Sequence, residues 1–71
     1  MKLYRVYVEN DFGGDERITS EILFVDLEDA KSAIEEEHEI DESAEIWLSE
    51  LNTDRKGSYG QVYVEENTRI Y

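Results

Sequence analysis

The stretch Asp26-Leu27-Glu28-Asp29-Ala30-Lys31-Ser32-Ala33-Ile34-Glu35-Glu36-Glu37-His38-Glu39 is the only part of this chain with a helical period, and the rest of the fold is read outward from it. At about 100° per residue, Leu27, Ala30, Ile34 and His38 fall on one stripe, with Ala33 and Glu37 on its margin. Glu28, Asp29, Glu35, Glu36 and Glu39 gather on the opposite face, around Ser32. Asp26 suits the N-cap, where a carboxylate accepts a free backbone N–H, and Glu28 and Asp29 sit where the helix dipole favours negative charge. An amphipathic helix with an anionic outside needs an apolar layer under its other face.

The flanking segments supply that layer. Residues 3–8 alternate and are rich in Tyr and Val, which reads as a strand with Tyr4, Val6 and Val8 on one face and Leu3, Arg5 and Tyr7 on the other. The glycines and Asx residues of Asn10 to Glu16 suit a hairpin loop. Ile18 to Val25 is then a second strand, antiparallel to the first, with Ile18, Ile22 and Phe24 on one side and Thr19, Glu21, Leu23 and Val25 on the other. After a polar connection from Glu39 to Ser43, Ala44 to Leu51 alternates as a third strand. Asn52 to Ser58 reads as a turn-rich loop, and Gln61 to Glu65 as a fourth strand with a short edge piece after it. The order strand, strand, helix, strand, strand predicts an α+β domain: a four-stranded antiparallel sheet with one helix on one face. Val6, Val8, Ile22, Phe24, Ile46, Leu48, Val62 and Val64 are the expected layer beneath the helix. Tyr7, Leu23, Trp47, Leu51, Tyr59 and Tyr63 fall on the other face, among Arg5, Glu21, Glu45 and Gln61.

Seventy-one residues make a single domain near the lower size limit for independent folding, with a core worth ~3–5 kcal/mol. The absence of cysteine removes disulfides and thiolate metal sites, which suits a reducing compartment. No apolar run is long enough for a membrane span, and the charged N-terminal segment is unlike a signal peptide, so a cytoplasmic location is expected. The net charge of −12 is strongly localised. Asp26 to Glu50 holds 11 acidic residues against Lys31 alone, a net of −10, while the remainder holds 8 against 6, a net of −2. Nucleic acid and anionic lipid would both be repelled, and an electrostatically chosen partner would be basic.

Catalytic chemistry finds little to work with. There is no thiol, no serine beside a plausible base and no phosphate-cradling glycine loop, and His38 is the only histidine. Glu35-x-x-His38 has the spacing of a carboxylate-bridged di-iron motif, but such a site needs a second copy and two more glutamates from other helices. His38 therefore reads as a helix-end residue near the core. The oxygen-rich Glu9 to Glu16 segment lacks the ligand order of a calcium loop. No cofactor, metal or catalytic residue is expected.

Two surfaces remain. Glu28, Asp29, Glu35, Glu36 and Glu39, with Asp41 and Glu42 beyond the helix end, form the first. Glu35 with Glu39 and Glu36 with Glu39 are repulsive neighbours costing roughly 0.2–0.5 kcal/mol each, so folding gains nothing from them. With Glu45 these carboxylates are numerous enough to imitate part of a duplex, or one strand of it, although a solvated acidic face kept for solubility has the same composition. The second is the sheet face carrying Tyr7, Trp47, Leu51 and Tyr63, apolar enough to be a homodimer or second partner face, or else a shield over a thin sheet.

In size, localised acidity and lack of cysteine the chain resembles the small acidic inhibitors of bacteriophages and mobile elements, among them anti-CRISPR and anti-restriction proteins that mimic DNA. That resemblance implies a non-enzymatic inhibitor that blocks the basic groove of a nuclease, such as a CRISPR or restriction nuclease, or of another nucleic-acid-binding protein. The alternative is a small homodimeric assembly module that uses its aromatic sheet face and needs its acidity only to stay soluble.

Overall fold

The computed structural model describes residues 1–12, 14–57 and 60–71. The elements are β1 (Lys2–Phe12), β2 (Asp15–Phe24), α1 (Leu27–Ile40), β3 (Glu45–Lys56) and β4 (Val62–Arg69). They form an α+β fold with one antiparallel sheet of order β2-β1-β3-β4 and one helix. Two adjacent hairpins, β1–β2 and β3–β4, are joined by α1, which carries the chain from the β2 edge back across to β3. No helix among the described residues is long and apolar enough to cross a membrane.

The first hairpin is tighter than the expected Asn10 to Glu16 loop. Phe12 pairs with Asp15, so only two residues lie between the strands. A two-residue connection of this kind requires positive φ, which glycine adopts without a steric penalty. Gly14 has φ 94° and donates its N–H to Asp11 Oδ1 at 2.9 Å. In the second hairpin, β3 runs through the expected loop as far as Lys56. There Thr53 N–H and Oγ1 both donate to Met1 O, at 2.9 and 3.0 Å, and the N-terminal ammonium pairs with Asp54. Polar residues that read as a turn are thus held in the sheet by the start of the chain.

The helix follows its sequence pattern closely. Asp26 caps it by accepting the Glu28 N–H at 2.9 Å. Ala30 and Ile34 are buried against Val6, Val8, Ala44 and Ile46, with Tyr4, Phe24, Leu48 and Tyr71 packed around them. Ile46 has no exposed surface.

Three irregularities in strand pairing redistribute the expected faces. In β2, Val8 pairs with Ser20 but Glu9 pairs with Ile18, leaving Thr19 as an extra residue. In β4, Glu50 pairs with Glu66 but Leu51 pairs with Val64, leaving Glu65 extra. In β3, Asn52 pairs with Tyr63 and Lys56 with Val62, so three residues stand between successive pairs. A bulge inserts one residue and so reverses the side on which every later residue of that strand emerges. Ile18 consequently lies with Glu9, on the face away from the helix. Val62 and Val64 likewise leave the core layer, and Tyr63 crosses to the helix side, beside Asn52. Ile22 keeps its expected side but is 45% exposed. Gly13, Ser58 and Tyr59, placed by sequence in turns or on the open face, lie outside the described residues.

Candidate functional site

The outer face of α1 is held at a fixed angle to the sheet by Ala30 and Ile34, with no exposure and 3% exposure respectively. All five expected helix carboxylates, Glu28, Asp29, Glu35, Glu36 and Glu39, are exposed, as is Glu42. Lys31 is the one cation on the helix, and it pairs with Glu28 at 3.6 Å. Among the described residues, no ion pair involves Asp29, Glu36, Glu39 or Glu42. The five helix carboxylates therefore share one outer face, Glu42 is exposed beyond the helix end, and Ile40 in the last turn is 78% exposed.

Asp41 departs from the expected set. It is the C-cap residue, and its carboxylate is turned to the following chain. The Ser43 hydroxyl and the Ser43 N–H donate to Oδ1 at 2.6 and 3.0 Å. These two bonds hold its pKa below the ordinary 3.8. Its part is to turn the chain from α1 into β3, with the charge half-buried.

Glu35 has a structural partner too. The Tyr71 hydroxyl donates to it, at 2.8 Å from Oε1 and 3.0 Å from Oε2. The Tyr71 ring stacks on His38, with centroids 3.7 Å apart and planes 4° from parallel. Backbone bonds join Tyr71 to Ile46. Tyr71 thereby clamps the second half of α1 to β3, and its pKa is raised above 10 by the hydrogen bond to Glu35. His38 is a packing residue at the helix edge, as its place on the stripe predicts. The chain segment beyond Glu65 reads only as an edge piece in sequence, so this clamp is not evident there. Among the described residues no group of three or more His, Asp or Glu side chains is arranged to hold a metal ion.

The face away from α1 is organised in rows across the strands. One row is Leu3, Leu51 and Val64, the next is Leu23, Arg5, Ser49 and Asn67, and the third is Glu21, Tyr7, Trp47 and Arg69. Its centre is a linked polar and aromatic mat. Arg5 donates to Ser49 Oγ at 3.2 Å and Ser49 Oγ to Asn67 Oδ1 at 2.7 Å. Asn67 Nδ2 donates to the Tyr7 hydroxyl at 2.9 Å. The Arg5 guanidinium lies 4.7 Å from the Tyr7 ring centroid, and Tyr7 stacks parallel to Trp47 at 5.9 Å. Tyr7 and Leu51 are 5% and 6% exposed within a single chain, and Ser49 is fully buried. Of the four residues expected on this face, Tyr7, Trp47 and Leu51 are brought together, and Tyr63 is not: it sits under the Arg55 guanidinium, 4.2 Å away, on the helix side. The exposed apolar surface lies at the flanks instead, at Ile18, Leu23, Val62 and Val64, between 45% and 55% exposed.

Comparison with protein-family models, curated proteins and solved structures finds no match to this chain.

Proposed function

We propose that this chain is a non-enzymatic binding protein whose helix face occupies the basic nucleic-acid-binding groove of a target and blocks it. The observation that carries this reading is the row of exposed carboxylates at Asp29, Glu36, Glu39 and Glu42, unpaired among the described residues and flanked by Glu28 and Glu35. Helix α1 has 14 residues, and so is ~21 Å long. One strand of a duplex presents about six phosphates over that distance. Asp29, Glu36, Glu39 and Glu42 supply four unpaired charges towards that number, beside Glu28 and Glu35, which are partnered by Lys31 and Tyr71. A target groove lined with Lys and Arg would recognise the charge and its spacing without any base-specific contact. Restriction and CRISPR nucleases are within this target class.

The test is a low-salt pull-down from host lysate with wild type and with a variant carrying Gln at positions 28, 29, 35, 36 and 39. Circular dichroism first establishes that the variant folds. A nucleic-acid-binding protein retained by wild type, lost from the variant, and released by added duplex DNA or by raised salt is the expected result. Retention of the same partners by both forms, or binding indifferent to salt, would refute the reading, because exposed charges are screened beyond about 10 Å at 0.1 M.

A further inference from the structure

We propose that the sheet face turned away from α1 packs against the same face of a second copy, giving a two-sheet sandwich with both helices outside. This rests on the distribution of apolar surface and charge on that face and is independent of the function proposed above. The occupant is argued from three observations.

The first is size and surface. The molecule measures 35 × 28 × 15 Å, the short dimension being one helix on one sheet. The rectangle that bounds the broad face is therefore roughly 980 Å², so a standard stable interface of about 800 Å² per partner would take up most of it. Across it runs a depression of about 420 Å³ lined by Arg5, Glu21, Leu23, Leu51, Val62 and Val64. Leu23, Val62 and Val64 are half-exposed there, while between the flanks Ser49, Asn67 and Tyr7 bond one another and Arg5 Nε and Trp47 Nε1 are buried without a partner. Such a surface gains from burial at its flanks.

The second is charge. The chain carries −12, yet the three rows hold only Arg5, Arg69 and Glu21, and the two rows beyond add Glu9 with Glu45 and Asp11 with Glu16, for a net of −3. The helix carboxylates point the other way. With each layer 15 Å thick and the facing sheets about 10 Å apart, those of two facing copies stand roughly 40 Å apart, four screening lengths at 0.1 M salt. Self-repulsion does not oppose this mode of association.

The third is complementarity along one row. Glu21 and Arg69 occupy opposite ends of the row that runs through Tyr7 and Trp47, on the two edge strands; Arg69 also pairs with Glu45 of its own chain at 3.5 Å. A two-fold axis along the strands reverses the row. It places Glu21 of each copy over Arg69 of the other, which gives two symmetric ion pairs flanking Tyr7 and Trp47. Aligned sandwiches hold their sheets about 10 Å apart with a small crossing angle, within the reach of these side chains. The dimer then offers two identical anionic faces pointing in opposite directions.

Sedimentation equilibrium across a range of concentrations tests this. Wild type is expected at twice the 8.4 kDa of one chain. Leu23→Lys, which lowers the net negative charge and so cannot dissociate the pair by added repulsion, is expected to sediment as a folded monomer. Glu21→Arg and Arg69→Glu alter two exposed positions, and each should weaken association about tenfold or more by setting like charges against each other; Arg69→Glu also breaks the pair with Glu45, so circular dichroism first establishes that it folds. Combining the two should restore association. A monomeric wild type at all concentrations, a dimer unchanged by Leu23→Lys, or a double variant no tighter than the singles would each overturn the proposal.

Discussion

Glu39 sits where a negative charge costs the fold most. It lies in the last turn of α1, which ends at Ile40, so it faces the negative end of the helix dipole, an effect of roughly 0.3–1 kcal/mol at an exposed site. It also has Glu35 four residues before it and Glu36 three before it, repulsive neighbours at roughly 0.2–0.5 kcal/mol each. Glu39→Gln removes all three effects and should stabilise the protein by about 1 kcal/mol in low salt. For a domain of this size that is a rise of about 4–8 °C in Tm. Glu28→Gln is the matched control. It removes the same unit of charge, but from the first turn and from the ion pair with Lys31, so it should lower Tm. Thermal melts followed by far-UV circular dichroism at low and at 1 M salt read both. If net charge alone governed stability, the two variants would move the same way. A shared sign would refute the local argument, as would a Glu39→Gln effect that survives 1 M salt, where the screening length is about 3 Å. A carboxylate that destabilises its own helix is the kind of group retained for binding, and both variants should weaken capture of a basic target.

Ile34 is the pin between α1 and the sheet. Its truncation to Ala should cost about 2–5 kcal/mol, against the ~3–5 kcal/mol available to a core of this size. The variant should be largely unfolded at 37 °C by circular dichroism, and a melt close to wild type would show that α1 is held elsewhere. At Tyr71 the raised pKa means that the protonated hydroxyl is favoured by folding. Its contribution is complete below the ordinary tyrosine value of 10 and is lost as pH rises through the raised one. Tyr71→Phe should therefore be less stable than wild type at neutral pH, with the difference closing in alkaline solution. A gap constant with pH, in urea melts of both forms, would contradict that account.

Helix α1, its cap at Asp26, the buried Ala30 and Ile34 and the exposed carboxylates were all legible in the sequence, because a 3.6-residue period and a capping side chain are local properties. The four strands were legible as elements for the same reason. What the alternation could not convey was register. Thr19-Ser20 and Glu65-Glu66 are each a pair of adjacent polar residues on an edge strand, and a pair of this kind is where a bulge can be absorbed without burying a charge. Read without the bulges, Val62 and Val64 count as core and Tyr63 as open face; with them, all three change sides. That exchange decides the character of the open face. Its centre is shielded within one chain by Arg5, Tyr7 and Trp47, and its unshielded apolar area lies on β2 and β4, at positions that a strict two-residue period puts elsewhere. Asn67 and Tyr71 were equally hidden, since each acts across more than thirty residues, on Tyr7 and Glu35, and no local pattern records such a contact. The acidic face could be found from the sequence because it belongs to one helix. The apolar face could not be assigned correctly, because its composition depends on where two edge strands slip by one residue.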